Sequence, residues 1–266
     1  MNPVHHPRKR FGQNFLADKA IIEKIISFVN ATGEDNLIEI GPGKGALTDF
    51  LVSLCPKMQA IEVDRELVQL LKKKYSRFKD FLVHEQDALK TDYANFKSDS
   101  KLRLIGNLPY NISTPLLFQI ISQIELIKDL HFMLQKEVAS RLVADPKTKE
   151  YGRLSVIVQY HFKVLPLIAV PPSAFRPIPQ VESTFTRLVP HQKKPTVAFC
   201  EKLLNQIVKG CFQKRRKILR NSLDCPQSAL IMLENEIDLS RRPEDLSVAD
   251  FVKISNIVHL KRESNK

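Results

Sequence analysis

Leu37-Ile38-Glu39-Ile40-Gly41-Pro42-Gly43-Lys44-Gly45-Ala46 is the stretch on which the architecture turns. An apolar run, read as a strand over Leu37–Gly41, feeds into glycines at alternate positions, and a helical pattern follows over Leu47–Leu54. Glycine lets the backbone turn sharply and lets a ligand approach the main chain closely. The helix start beyond it offers unpaired amides and a partial positive charge. The spacing is G-x-G-x-G, which differs from the G-x-G-x-x-G dinucleotide fingerprint. Taken alone, a purely structural glycine turn is the competing reading.

Outward from that turn, short apolar runs alternate with helical patterns. Met58–Val63, Phe81–His84, Leu102–Gly106 and His131–Gln135 read as strands; Arg65–Phe78, Thr114–Gln123 and Lys136–Ala144 read as helices. Alternation at this spacing implies a parallel sheet covered on both faces. Leu154–Val164 and Ser183–Val189 are longer and β-rich, with a proline-dense segment, 166–179, between them. They predict a late hairpin that adds an antiparallel edge to the sheet. Residues 190–195 read as a linker, and beyond it the pattern is helical over Thr196–Gln213, Lys214–Leu223, Ser228–Glu236 and Ser247–Leu260. The expected division is an α/β domain, 1–189, followed by a small helical domain, 190–266.

The formal charge is +12 over 266 residues, and the last 77 residues carry +6 of it. A basic balance of this size favours a polyanionic partner, nucleic acid or an acidic membrane surface. The four cysteines, Cys55, Cys200, Cys211 and Cys225, form no C-x-x-C pair, and no histidine follows at zinc spacing. They read as reduced thiols rather than metal ligands. No apolar run reaches the roughly 18–20 residues that span a bilayer. Arg8-Lys9-Arg10 is not followed by an apolar signal core, and Ala17–Val29 contains Asp18 and Glu23, which argues against a transit peptide. A cytoplasmic location is expected.

Three residue groups carry chemistry. Glu62 closes the second strand, where a carboxylate can accept hydrogen bonds from two ribose hydroxyls; a solvated strand-end charge is the alternative. Asp87 follows the third strand, where it can accept from an adenine amino group or simply cap a turn. With the glycine turn, these two indicate an adenosine-containing cofactor, most simply S-adenosylmethionine. The fourth strand ends in Asn107-Leu108-Pro109-Tyr110. An exocyclic amine is a poor nucleophile because its lone pair is delocalised into the ring. Two acceptors on its N–H groups, the Asn107 side-chain oxygen and the Leu108 carbonyl, would favour a pyramidal nitrogen. Pro109 stiffens the turn, and Tyr110 offers a face on which a flipped base can stack.

These residues and others resemble the KsgA (RsmA) family of small-subunit rRNA adenine N6,N6-dimethyltransferases. The resemblance rests on Arg8-Lys9-Arg10-Phe11-Gly12-Gln13-Asn14-Phe15-Leu16, the glycine turn, and Asn107 through Thr114. Phe132–Leu142, Tyr151–Ser155, Val170–Phe175 with Pro177, Pro179 and Val181, and Arg215-Arg216-Lys217 before Arg220-Asn221-Ser222 extend it from about Arg8 to about His259. It implies a Rossmann-like class I methyltransferase sheet with a small all-helical C-terminal domain. It also implies S-adenosyl-L-methionine as methyl donor and, as substrate, two adjacent adenosines in the hairpin loop near the 3′ end of 16S rRNA. The partner would be the immature 30S subunit, met by a monomer that also serves as an assembly checkpoint. Cofactor contacts carried over by type fall on Asn14, Leu16, Gly41, Glu62, Asp87 and Asn107. Phe175 matches an aromatic that helps Tyr110 sandwich the base, and Glu182 stands where aspartate is commoner. Two rivals remain: an Erm-type enzyme acting on large-subunit RNA, and a noncatalytic nucleic-acid-binding relative. Leu134–Leu142 and Tyr151–Ser155 fit the first less well, and an intact cofactor set argues against the second.

Overall fold

The structure is a computed structural model that describes residues 13–264. The Arg8–Gly12 part of the N-terminal motif lies outside the described residues. The chain divides into two compact units: one extends to Ala139 and adds Val164–Pro190, and the other joins Ser140–Lys163 to the chain from His191 onward. One crossing point coincides with the expected linker, while residues 140–163 group with the C-terminal helices.

Among the described residues of the first unit, the strands are β1 (Phe15–Leu16), β2 (Asn36–Ile40), β3 (Gln59–Glu62), β4 (Leu82–Glu85), β5 (Leu102–Asn107) and β6 (Ile127–Gln135). They are followed by β7 (Phe162–Val170), β8 (Phe175–Arg176) and β9 (Ser183–Pro190). Seven of them form one sheet in the order β4-β3-β2-β5-β6-β9-β7. The pairs from β4 to β6 are parallel, and β9 runs antiparallel to β6. The central strands are buried along nearly their whole length, as expected of parallel strands covered on both faces. The helices α2 (Thr48–Leu54), α3 (Arg65–Lys74) and α4 (Ser113–Ile121) occupy the predicted places, and α1 (Lys19–Val29) precedes them. Leu51, Leu71, Ile105, Met133 and Phe185 meet in the core beneath them. β7 lies at the sheet edge, so Pro166 within it leaves no interior ladder bond unmade.

At the amino end of β5 a buried charge cluster holds the sheet to α1. The Arg103 guanidinium donates to Asp129 (2.9 Å), Asp35 (2.8 Å) and the Val29 carbonyl (2.7 Å). Arg187 also donates to Asp129, at 3.2 and 2.8 Å. Burial alone would raise the Asp35 carboxyl, but hydrogen bonds from Lys128, the Thr32 amide and Arg103 bring it down to about 2.

The expected strand Leu154–Val164 is instead helix α6 (Arg153–His161) leading into β7. Its β-branched run Val156-Ile157-Val158 favours a strand locally. In the fold, Ser155, Val156, Ile157, Val158, Tyr160 and His161 are all buried, so no one-sided apolar stripe announces a helix. The Ser155 hydroxyl accepts from the Gly152 amide at 3.0 Å and fixes the start. Along the chain, α5 (Lys136–Leu142) follows β6, and the division after Ala139 falls within it. The rest of the second unit is α7 (Glu201–Gln213), α8 (Leu219–Ser222), α9 (Gln227–Glu234) and α10 (Val248–Glu263). Residues 196–200, predicted helical, are an irregular segment with bends at Thr196 and Phe199, where Asn256 bonds the Phe199 amide (2.8 Å) and the Val197 carbonyl (2.9 Å). The expected helix Lys214–Leu223 is a turn over 214–217 followed by the short α8. Arg215 is drawn out of helical register onto Glu244 (2.6 Å) and the Lys149 carbonyl (3.2 Å).

Candidate active site

A cavity of about 580 Å³ opens at the carboxyl ends of β2, β3, β4 and β5. This is where the strand order reverses on either side of β2 and β5, the usual ligand position in an open parallel sheet. All of the residues that line it belong to the first unit. Asn14, Leu16, Gly41, Glu62, Asp87, Asn107, Leu108 and Tyr110 all lie on its wall.

The turn after β2 needs its glycines for two distinct reasons. Gly43 and Gly45 have φ of +59° and +87°, a region that L side chains avoid. A β-carbon on Gly43 would come within 2.9 Å of the Phe15 ring, and one on Gly45 would collide with the Tyr75 hydroxyl. The Tyr75 hydroxyl bonds the Gly45 carbonyl (3.1 Å) and Asp49 (2.7 Å), tying the turn to α2 and α3.

Glu62 is 5% exposed, and both carboxylate oxygens are held by backbone amides: Oε1 by Asp64 (2.9 Å), Oε2 by Gly43 (3.3 Å). Burial pushes its carboxyl upward, against these two bonds. Each oxygen keeps a lone pair for a ribose hydroxyl. Asp87 accepts from the Leu89 amide through Oδ1 at 2.9 Å. It therefore does serve a turn, yet Oδ2 has no partner among the described residues and remains available to an adenine amine. The sequence reading missed Glu39, which also lines the cavity. It is 1% exposed and accepts from the Thr48 hydroxyl at 2.6 Å. Burial, with the neighbouring Asp49 and Glu62 charges, raises its carboxyl to about 7. A lone acid inside the apolar strand Leu37–Ile40 was the signal that could have revealed it.

The Asn107 amide nitrogen donates to the Asn14 carbonyl at 2.8 Å. A carbonyl can only accept, so this bond forbids the flipped amide and leaves Oδ1 without a hydrogen-bond partner among the described residues. The Leu108 carbonyl likewise receives no hydrogen bond among the described residues. The Pro109 carbonyl next to it is occupied by the Ile112 amide (3.1 Å) and the Ser113 hydroxyl (3.2 Å). The turn thus holds, on two consecutive residues that line the cavity, two oxygens without a hydrogen-bond partner among the described residues. The Tyr110 hydroxyl shares a hydrogen bond of 2.9 Å with Ser183, and Tyr110 lines the cavity. Phe175 does not reach the wall. It is 1% exposed, pairs with Leu16 across β1 and β8, and packs in the core, while Arg176 and Pro177 take the wall position.

Residues 4–260 match the ribosomal RNA adenine dimethylase family. The chain belongs to that family. Relatives of the dimethylase named ribosomal RNA small subunit methyltransferase A include one from Marinobacter nauticus. It is 46% identical over 254 residues, 96% of this chain and 92% of that one. One from Saccharophagus degradans is 49% identical over 253 residues, 95% and 94% of the two chains. A dimethyladenosine transferase structure from Plasmodium falciparum aligns with TM-score 0.80 at 28% identity, over 94% of this chain and 98% of that one. The 23S rRNA methyltransferase ErmE aligns with TM-score 0.69 at 21% identity over 92% and 100%, a likeness of fold alone. The dimethylase has the expected α/β class I methyltransferase sheet and is an S-adenosylmethionine-dependent rRNA adenine methyltransferase. The donor set fits that cofactor: carboxylates stand at β3 and β4, and the glycine turn leaves room along β2. When bound, S-adenosylmethionine supplies a methyl group on a positively charged sulfur, so the residues need only position and polarise the accepting amine. No helix among the described residues is long and apolar enough to cross a membrane.

Proposed function

We propose that the dimethylase methylates the N6 amines of two adjacent adenosines in the hairpin loop near the 3′ end of 16S rRNA. Its partner is the immature 30S particle, met in the cytoplasm by a single copy of the chain. The observation that carries this reading is the paired set of free acceptors, Asn107 Oδ1 and the Leu108 carbonyl, beside the anchored Tyr110 ring. An adenine amine carries two N–H donors, and these oxygens can take both, leaving the nitrogen lone pair free to point elsewhere. Tyr110 stacks on the base. Asn14, Leu16, Gly41, Glu62 and Asp87 hold the cofactor, with Asn107 serving both ligands. Phe175 contributes by fixing β8 against β1 rather than by stacking.

In this reading residues 1–189 carry the chemistry and 190–266 grip RNA. Lys214, Arg216 and Lys217 stand exposed in their turn and form no ion pair among the described residues, whereas Arg215 and Arg220 are bound to Glu244 and Glu234. Phosphate contacts of this kind give affinity without reading sequence. The test is to incubate the protein with labelled S-adenosylmethionine and undermethylated small subunits and to map the modified bases. Label on two neighbouring adenines of the 3′ hairpin is the expected result; label elsewhere, or none, sinks the reading.

A further inference from the structure

Tyr110 is held at both ends. Its backbone opens the 110–112 turn directly after Pro109, and its hydroxyl meets that of Ser183, 73 residues on in sequence, at 2.9 Å. Ser183 is fully buried, and a buried hydroxyl is costly unless bonded. The frame that carries it is firm. Ser183 pairs with Gln135 at the start of β9. The Glu182 carbonyl accepts from the Lys136 amide at 2.9 Å, and its carboxylate pairs with the Lys136 ammonium at 2.6 Å.

We infer that Ser183 is a positioning residue for base recognition, its hydroxyl holding the Tyr110 ring axis so that the ring faces the cavity before RNA arrives. The inference rests on Tyr110 serving as the stacking face. A ring already aimed loses less freedom when a base docks, and the two acceptors of the turn then meet the amine in register. Tyr110 rotates about two side-chain bonds, and the hydroxyl tether fixes the first. Without it the ring samples other rotamers, and the base is stacked at the wrong angle for transfer.

The experiment measures methyl transfer to undermethylated 30S subunits by Ser183→Ala, Ser183→Thr, Tyr110→Phe, Tyr110→Ala and the Ser183→Ala/Tyr110→Phe pair. Thermal unfolding and S-adenosylmethionine affinity are measured beside them. Ser183→Ala should lose about fivefold to tenfold in kcat/KM, the scale of one neutral hydrogen bond, with cofactor affinity unchanged. Tyr110→Phe should lose the same factor, and the double variant no more than either single one. Ser183→Thr should restore activity if its extra methyl is accommodated; if it is not, the double-mutant cycle decides. Wild-type turnover by a folded Ser183→Ala protein while Tyr110→Ala is impaired overturns the positioning role alone, as do losses that multiply in the double variant. Wild-type turnover by Tyr110→Ala overturns the stacking reading and the positioning role together.

Discussion

Glu62 is oriented by two backbone amides and largely buried, so its loss removes a pair of preset acceptors from the cavity wall. Glu62→Ala should weaken S-adenosylmethionine binding by about 1–3 kcal/mol. Calorimetry on the folded variant checks this, and unchanged affinity takes Glu62 out of the site. Asn107→Ala should depress methyl transfer far more than RNA binding, because the polarising oxygen acts on the reacting amine; near-normal turnover ends that role. Since the Asn107 amide also holds the Asn14 carbonyl, cofactor affinity must be followed in the same variant. Glu39 adds a pH signature. Its carboxyl stands at about 7 in the fold against 4.5 for the free group. The folded protein therefore holds that proton more tightly. The stability it contributes is complete at low pH and is lost as pH rises through about 7. Wild type should lose unfolding free energy relative to Glu39→Gln as pH rises from 4.5 to about 7, in urea titrations. Equal slopes for both proteins would show that Glu39 is not titrating there.

At the scale of elements, the Arg103 cluster joins α1, β5, β6 and β9 at the end of the sheet away from the cavity. Arg103→Ala leaves Asp129, which has no exposed surface, to Arg187 alone and removes a donor from Asp35, so it should cost about 1–3 kcal/mol in chemical denaturation. Asp35 gives the acid limit. Its carboxyl is lowered to about 2, so its contribution is whole above the free value of 3.8 and disappears as pH falls from there through about 2. Asp35→Asn should flatten that part of the acid unfolding curve. The same elements show what could be read beforehand. β2, the glycine turn and β5 were legible because each is a local pattern, an apolar run ending in residues with special backbone demands. Helix α6 was not, since its strand-like composition is overruled by burial on nearly every side. Nor was the Tyr110–Ser183 tether, which joins two residues with no local pattern between them. Phe175 was expected on the wall because its motif names a residue type, whereas its burial in the core beneath the sheet depends on packing that no local pattern announces.

For the whole molecule, the excess charge of the tail was visible in composition, but its shape was not. Lys214 to Lys217 form a turn because Arg215 is bound to Glu244 and the Lys149 carbonyl. Reversing Arg216 and Lys217 to Glu should weaken 30S binding and flatten its salt dependence by about one log–log unit for each phosphate no longer gripped. Cofactor affinity should stay as it was, since the cavity is built wholly from the other unit. Unaltered binding across a salt titration would place the RNA-gripping surface elsewhere. One pairing already described also sets a timetable for manufacture. β1 is only two residues long, and its partner β8 lies at Phe175–Arg176. During translation Leu16 emerges early and must wait for Phe175, roughly ten to thirty seconds at ordinary elongation rates. Until then the nascent chain has its glycine turn but lacks the strand that sets Asn14 and Leu16 against it, so a half-made enzyme should be unable to retain its methyl donor.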